Sequence, residues 1–384
     1  MSWRKTRISD HCDITSSKRI FYSEYAKAGV PFYRSKEIVE KSQGQTISEP
    51  LFIRQEKYKE IKDKFGVPKG GDLLLTSVGT IGIPYIVKPE DYFYFKDGNL
   101  TWFRNFDDKL LSQYLYYWIH SNEGQGILNN TTIGSSQKAL TIAALKNISI
   151  PLPPIETQCR IVFILSVYDN LIENSQKQIK LLEEAAQRLY KEWFVNLHFP
   201  GYEEATIADG VPDGWEKVSL KEFVPILTGK KDANFGTKDG AYPFFTCAQE
   251  PIKAPLYSFD ADAVILAGNG DFNVKLYRGK FEAYQRTYVL IPNERSLLFL
   301  LFHAVRENMN HLFQGASGST IKFLTKGMIE NISTLIPDQR ILEQFNSISE
   351  AMQAKREIAE QTIKNAMEAR NRLLPKLISG ELEV

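Results

Sequence analysis

The chain has 384 residues, with 47 basic and 46 acidic side chains for a formal charge of +1, and is 43% hydrophobic and 24% charged. That composition excludes disordered, collagen-like and disulfide-stapled chains, and the length predicts two or three domains of ~100–200 residues instead of one core. No run reaches the ~20 apolar residues of a membrane helix, and the opening MSWRKTRISDHC lacks the apolar stretch of a secretory signal, so the expected location is the cytoplasm. Cys12, Cys159 and Cys247 are too widely spaced for a CxxC zinc pair or a disulfide framework. With so little net charge, nucleic-acid binding would have to come from local basic patches.

In chain order, residues 1–150 contain short β-like runs such as GDLLLTSVGTIGIPYIV (71–87), rich in branched and aromatic residues and punctuated by Gly, then a helical patch at 110–121. After PLPP a long helix is expected. Its apolar stripe is Ile161, Leu165, Tyr168, Ile172, Ser175, Ile179, Leu182, Ala186, Leu189 and Trp193, alternating steps of four and three and broken only by Ser175. That 3.5-residue period is a coiled-coil pattern, although burial of one helix against another is its plainer meaning. A second globular segment, 213–336, has strand-like DAVILAGNGDFNVKLY (262–277) and a helical patch at 296–313. The last helix, from about Gln339, is less regular: Ile341, Phe345, Ile348, Met352, Ala359, Ala366 and Leu373. Pro375 should end it, with Gly380 following.

The two halves are copies. A shift of 184 aligns Gly134–Phe194 with 318–378 without a gap, with 17 identities in 61 positions, where chance matching at ~6% would give about four. A shift of 212 pairs Trp3 with Trp215, Ile14 with Ile226, Lys18-Arg19 with Lys230-Lys231 and Pro31-Phe32 with Pro243-Phe244. The first half therefore carries 28 extra residues, placed between about 38 and 134. The expected fold class is α+β. It has domains at 1–150 and 213–336, helical regions at 151–212 and 337–384, and two ~35-residue helices packed antiparallel as a ~50 Å rod.

The run KNISIPLPPIETQCRIVFILSVYDNLIENSQKQIKLLEEAAQRLYKEWFVNLHFPGYE resembles the central conserved region of type I restriction-modification specificity subunits. RNRLLPKLISGELEV is similar to their C-terminal conserved region, and DGWEKVSLKEF to the start of their second target-recognition domain. PLPP with nearby Gln158, KEWF and LLPKLISGE are the specific features; the second copy departs from them in keeping only Pro337. The resemblance implies a non-catalytic subunit that recognises a bipartite, asymmetric DNA sequence, one half-site per domain, with the gap set by the helices. It also implies two modification subunits, which bind S-adenosylmethionine and methylate adenine, and separate motor-nuclease subunits.

DNA-contacting candidates are sought among loops present in both halves. GSSQK (134–138) and GSTIK (318–322) offer Ser135, Ser136, Lys138, Ser319, Thr320 and Lys322, a composition suited to a phosphate-binding turn and equally to a helix cap with a solvated lysine. Lys18, Arg19, Lys230 and Lys231 recur at matching places and also fit solvated turns. Ser77 and Thr80 in SVGTIG and Asn269 in AGNGDF follow strands and fit DNA contact or plain hairpin turns; Arg34 and Lys36 complete the set. Catalytic and metal residues are expected to be absent. The chain has no Asn/Asp-Pro-Pro-aromatic loop, no GxxxxGK[ST] and no HExxH, and AGNGDF is a lone GxG. Two rivals remain: a methyltransferase holding its cofactor with AGNGDF, and a coiled-coil scaffold that binds proteins.

Overall fold

Leu73–Thr76 is wholly buried and places leucine on both faces, as expected of a central strand. In the computed structural model, which describes residues 3–45, 47–134, 138–316, 318 and 322–384, this strand anchors the first globular domain. It is the third of four antiparallel strands in the order Asp13–Thr15, Leu100–Arg104, Leu73–Thr76, Pro84–Ile86. A second sheet has the order Tyr25–Ala26, Leu51–Ile53, Val30–Tyr33, Tyr94–Phe95, with the last pair parallel. Lys5–Arg7 pairs with Ser149–Pro151 at the base of the domain.

The second globular domain repeats this plan. Glu216–Ser219 pairs with Ser333–Ile336. One six-stranded sheet has the order Ile226–Thr228, Thr287–Leu290, Phe259–Ala267, Val274–Ala283, Tyr242–Phe245, Ile252–Ala254. Registers correspond: Leu73 faces Phe103 and Ile86, as Val264 faces Leu290 and Leu276. Phe32 pairs in parallel with Tyr94, as Phe244 does with Glu282. Two sheets become one because Val274–Ala283 runs unbroken through Gly279, whose φ of +116° suits glycine. In the first domain the same path breaks at Lys88–Asp91, where Pro89 cannot donate and the Asp91 carboxylate accepts from the Lys88 amide and the Tyr85 hydroxyl.

Most of the extra residues of the first half form two helices. The offset between equivalent residues falls from 212 at Phe32/Phe244 to 201 at Phe52/Lys253 and 191 at Leu73/Val264. Helices Ser35–Ser42 and Gln55–Phe65 occupy these two intervals, where the second domain has short connections.

The chain divides into two compact units, residues 1–176 with 361–384 and residues 177–360, so each unit takes part of both long helices. The helices span Ile155–Tyr190 and Gln339–Ser379. In the first unit, Ile161 and Leu165 share a core with Leu374, Leu377 and Ile378, and Asp169 accepts from Arg370 at 2.6 Å. In the second, Tyr190, Trp193 and Phe194 share a core with Ile341, Leu342 and Phe345, and Glu183 accepts from Arg356 at 3.1 Å. Each pairing is antiparallel. The first helix closes in a π-turn, Lys191–Val195, that buries the adjacent Trp193 and Phe194 together. Gln158, fully buried, ties the start of that helix down: its Oε1 accepts from the Leu111 amide and its Nε2 donates to the Lys109 and Pro153 carbonyls.

Two expectations for the second helix are corrected. It does not stop at Pro375 but runs through it to Ser379. Losing one backbone bond near a helix end costs ~3 kcal/mol, and burial of Leu374, Leu377 and Ile378 at ~1.5–3 kcal/mol each outweighs it. Gly380, at φ +74°, then ends the helix. Ile348 is 37% exposed, and Ser349 takes the inward place. With that substitution the inward face reads Phe345, Ser349, Met352, Arg356, Ala359, Ala366, Arg370, Leu373 and Leu377, a 3.5-residue period with polar members.

Candidate nucleic-acid interface

In each domain the loops singled out from the sequence are drawn together by backbone bonds. In the first, the Leu140 amide donates to the Ser77 carbonyl (2.9 Å) and the Ser77 amide to Asn99 (2.8 Å), while Val78 bridges Ala139. The Lys96 amide donates to Tyr33 (2.8 Å), and the Ser35 hydroxyl donates to the carbonyls of Val78 and Asn99 (3.2 and 3.1 Å). The Lys18 amide donates to the Tyr94 hydroxyl at 2.7 Å. The second domain repeats the backbone stitches, without the Ser35 and Tyr94 hydroxyl bonds. Leu324 donates to Gly268 (2.8 Å), Gly268 to Arg286 (2.9 Å) and Tyr284 to Phe245 (2.9 Å), while Asn269 bridges Phe323 and Lys231 bridges Tyr284. Segments 18–19, 34–36, 77–82, 96–99 and 138–140 thus form one face, matched by 230–231, 245–249, 268–273, 284–286 and 322–324.

The side chains on these faces differ. Lys18, Arg19, Lys36, Thr80 and Lys138 are exposed, as are Lys230 and Lys322, whereas Lys231 and Asn269 are half-buried. Lys18, Lys231 and Lys322 hold their ammonium groups 4.4, 4.5 and 4.1 Å from the ring centroids of Phe65, Phe235 and Phe313, which orients the charge without neutralising it. In the first domain carboxylates answer three cations. Arg19 meets Asp97 at 2.9 Å, Lys36 meets Glu49 at 3.1 Å, and Arg34 forks onto the fully buried Glu37.

Two candidates are engaged within the fold. Arg34 caps the Ser35–Ser42 helix: its amide and its guanidinium both donate to Glu37, and that pairing raises the arginine pKa. Glu37 would be a buried unpaired charge without it. Ser77 is 2% exposed and exchanges a 2.7 Å bond with the Thr101 hydroxyl, so its side chain faces the core.

Ser135, Ser136, Ser319 and Thr320 lie outside the described residues. Their flanking glycines, Gly134 and Gly318, have φ of +100° and +108°, so both copies turn through a conformation that favours glycine. Lys138 and Lys322 are not in helix caps. The next helices start at Ile142 and Lys326, with Thr141 and Thr325 as N-caps. AGNGDF is a hairpin connection between Phe259–Ala267 and Val274–Ala283, not the opening of a helix.

Sequence reasoning passed over the turns at 96–99 and 284–286, and segment 245–249 of the second face as well. The Asp97-Gly98 hairpin signal was available for the first. For the second, only the polar tip Gln285-Arg286 between aromatic strands marks it. Among the described residues no helix is long and apolar enough to cross a membrane, and no group of three or more His, Cys, Asp or Glu side chains could hold a metal ion.

Comparison with known proteins bears on what these faces serve. The specificity subunit of the type I restriction enzyme EcoDI of Escherichia coli is 37% identical over 179 residues, 46% of this chain and 40% of that protein, so the match spans less than half of the relative. The specificity subunit of the type I restriction enzyme MjaIX of Methanocaldococcus jannaschii is 28% identical over 348 residues, 83% of this chain and 78% of that protein. The crystal structure of a type I restriction-modification S subunit from M. genitalium shares the fold, with a TM-score of 0.62 at 15% identity over 98% of this chain and 96% of that one. The type I restriction modification DNA specificity domain matches residues 1–184 and again 212–365. With both halves matched, the chain belongs to the type I restriction-modification DNA specificity family.

Proposed function

We propose that this chain selects the DNA sequence on which a type I restriction-modification complex acts, each globular domain reading one half-site of a bipartite, asymmetric target. The observation that carries this reading is the pair of equivalent loop faces, stitched by the same backbone bonds and furnished with different side chains. Equivalent scaffolds present comparable surfaces to a duplex, and unlike side chains on them read unlike sequences.

The chain itself performs no covalent chemistry in this reading. Two modification subunits dock on it, bind S-adenosylmethionine and methylate adenine, and motor-nuclease subunits join them in the cytoplasm. Exposed lysines such as Lys18, Lys138, Lys230 and Lys322 supply phosphate contacts and hence a salt-dependent affinity.

The test is methyl transfer from labelled S-adenosylmethionine by the chain alone and by the chain with a modification subunit, followed by mapping of the methylated adenines. The expected result is turnover by the complex alone, at one bipartite sequence. Clear turnover by the isolated chain overturns the proposal, and so does methylation by the complex without sequence preference.

A further inference from the structure

The turn at 284–287 in the second domain combines a backbone held on all sides with two side chains that have no hydrogen-bond or ion-pair partner among the described residues. It is closed by the Thr287 amide donating to the Tyr284 carbonyl at 2.8 Å. Three neighbouring segments clamp it: the Tyr284 amide donates to Phe245, the Gln285 amide to Lys231, and the Arg286 carbonyl accepts from Gly268, each at 2.9 Å. The Cys247 thiol adds a contact to that same carbonyl at 3.5 Å. Yet Gln285 and Arg286 are exposed, and among the described residues neither side chain has a hydrogen-bond or ion-pair partner. Other arginines of this domain are occupied: Arg278 with Glu350, Arg295 with Asp262 and Arg306 with Glu183.

Gln and Arg are the side chains whose geometry matches two adjacent groups on a purine edge in the major groove: Arg the O6 and N7 of guanine, Gln the N6 and N7 of adenine. A fixed backbone leaves only side-chain rotamers to be ordered on binding, the condition for discrimination between bases. Lys230 and Lys322, exposed on flanking segments of the same face, are placed for phosphate contacts that would set the register.

We propose that Arg286 and Gln285 are specificity-determining residues of the second domain, Arg286 reading a guanine and Gln285 an adenine in the second half-site. The assignment rests on the DNA-selecting function proposed above. In the first domain the equivalent turn is Asp97-Gly98-Asn99, with Asp97 engaged by Arg19, so the two half-sites are read by different chemistry.

Methylated adenines are mapped in cells carrying the chain with its modification subunits, for the wild type, Arg286→Lys and Gln285→Ala. Lysine keeps the charge and loses the planar fork, so it separates a base contact from a phosphate contact. The expected wild-type second half-site contains a G·C pair that relaxes in Arg286→Lys, with at least about a five-fold loss of discrimination at that one position. Gln285→Ala relaxes an A·T position, and in both variants the first half-site and the gap are unchanged, which also reports intact folding. The assignment is overturned by a wild-type second half-site without a G·C pair, by an unaltered consensus in Arg286→Lys, or by an even loss across all sites. A wild-type complex that methylates no bipartite sequence overturns the function, and this assignment with it.

Discussion

The two globular domains share strand order, register and the stitching of their loops, and differ in what they place on that frame. The first adds helices Ser35–Ser42 and Gln55–Phe65 and answers Arg19, Arg34 and Lys36 with carboxylates. The second has short connections there and, among the described residues, gives the Gln285 and Arg286 side chains no hydrogen-bond or ion-pair partner. The same contrast recurs where each domain meets the first long helix. In the first unit the Tyr117 hydroxyl donates to Asp169 at 2.6 Å, whereas in the second His303 donates to the amide oxygen of Gln187 at 3.0 Å. Backbone pairing can be met by almost any sequence of suitable polarity, so duplicated halves keep it while their surfaces diverge.

The severest test removes the difference between the domains. A chain ending near Pro200 lacks Leu374, Leu377 and Ile378, which complete the first core, but retains Tyr190, Trp193 and Phe194, their equivalents at the 184-residue shift. Two such chains are expected to pair, each lending its helix end to the other, and two-fold symmetry then predicts an interrupted palindrome as the target. Mapping that returns the original asymmetric site would show that the halves are not equivalent.

A milder change asks whether the C-terminal segment closes the first unit alone. Leu377 is fully buried, and Leu377→Ala is expected to cost ~2–5 kcal/mol, lowering the melting of the first unit and not that of the second. Trp193→Ala should do the reverse, at ~3–5 kcal/mol. Hydrogen exchange resolved by segment distinguishes the two patterns from one common transition.

Acid should separate the units more gently. Burial, and then the Arg306 charge, push the His303 pKa down to about 3. An unfolded histidine protonates near 6.5, so below that pH the unfolded chain takes up a proton that the folded unit refuses. Stability of the second unit is therefore full above about pH 6.5 and falls towards pH 3 by up to ~1.4 kcal/mol per pH unit from this group. Denaturant titrations of the wild type and His303→Gln across that range should differ in slope; equal slopes would show that His303 is protonated in the folded state.

The smallest effects concern Lys138 and Lys322, exposed at matching places on the two faces. Each Lys→Ala change should lower the salt slope of duplex binding by roughly one and leave discrimination between target and non-target DNA nearly constant. A changed consensus would make either lysine a base reader, and an unchanged slope would remove it from the interface.

Period and repetition were legible in the chain: the duplication, the α+β halves, the first heptad stripe and the recurrence of SVGTIG and AGNGDF after equivalent strands. These are local or self-referential signals that need no knowledge of neighbours. The heptad of the second helix was hidden because its inward positions include Ser349, Arg356 and Arg370, which become acceptable only when Glu183 and Asp169 stand opposite the arginines. Pro375 gave a correct local signal that lost to the burial around it. Ser77 and Arg34 have the composition of DNA contacts, and only the fold turns one into the core and the other onto Glu37. The Gln285-Arg286 turn carries no motif at all, since what sets it apart is that no described residue pairs with its side chains while several bonds hold its backbone. Sequence by itself determined the repeated plan, because periodicity is written along the chain. Tertiary structure decided which polar groups are free to meet a ligand, because that depends on whether a residue distant in the chain has already engaged them.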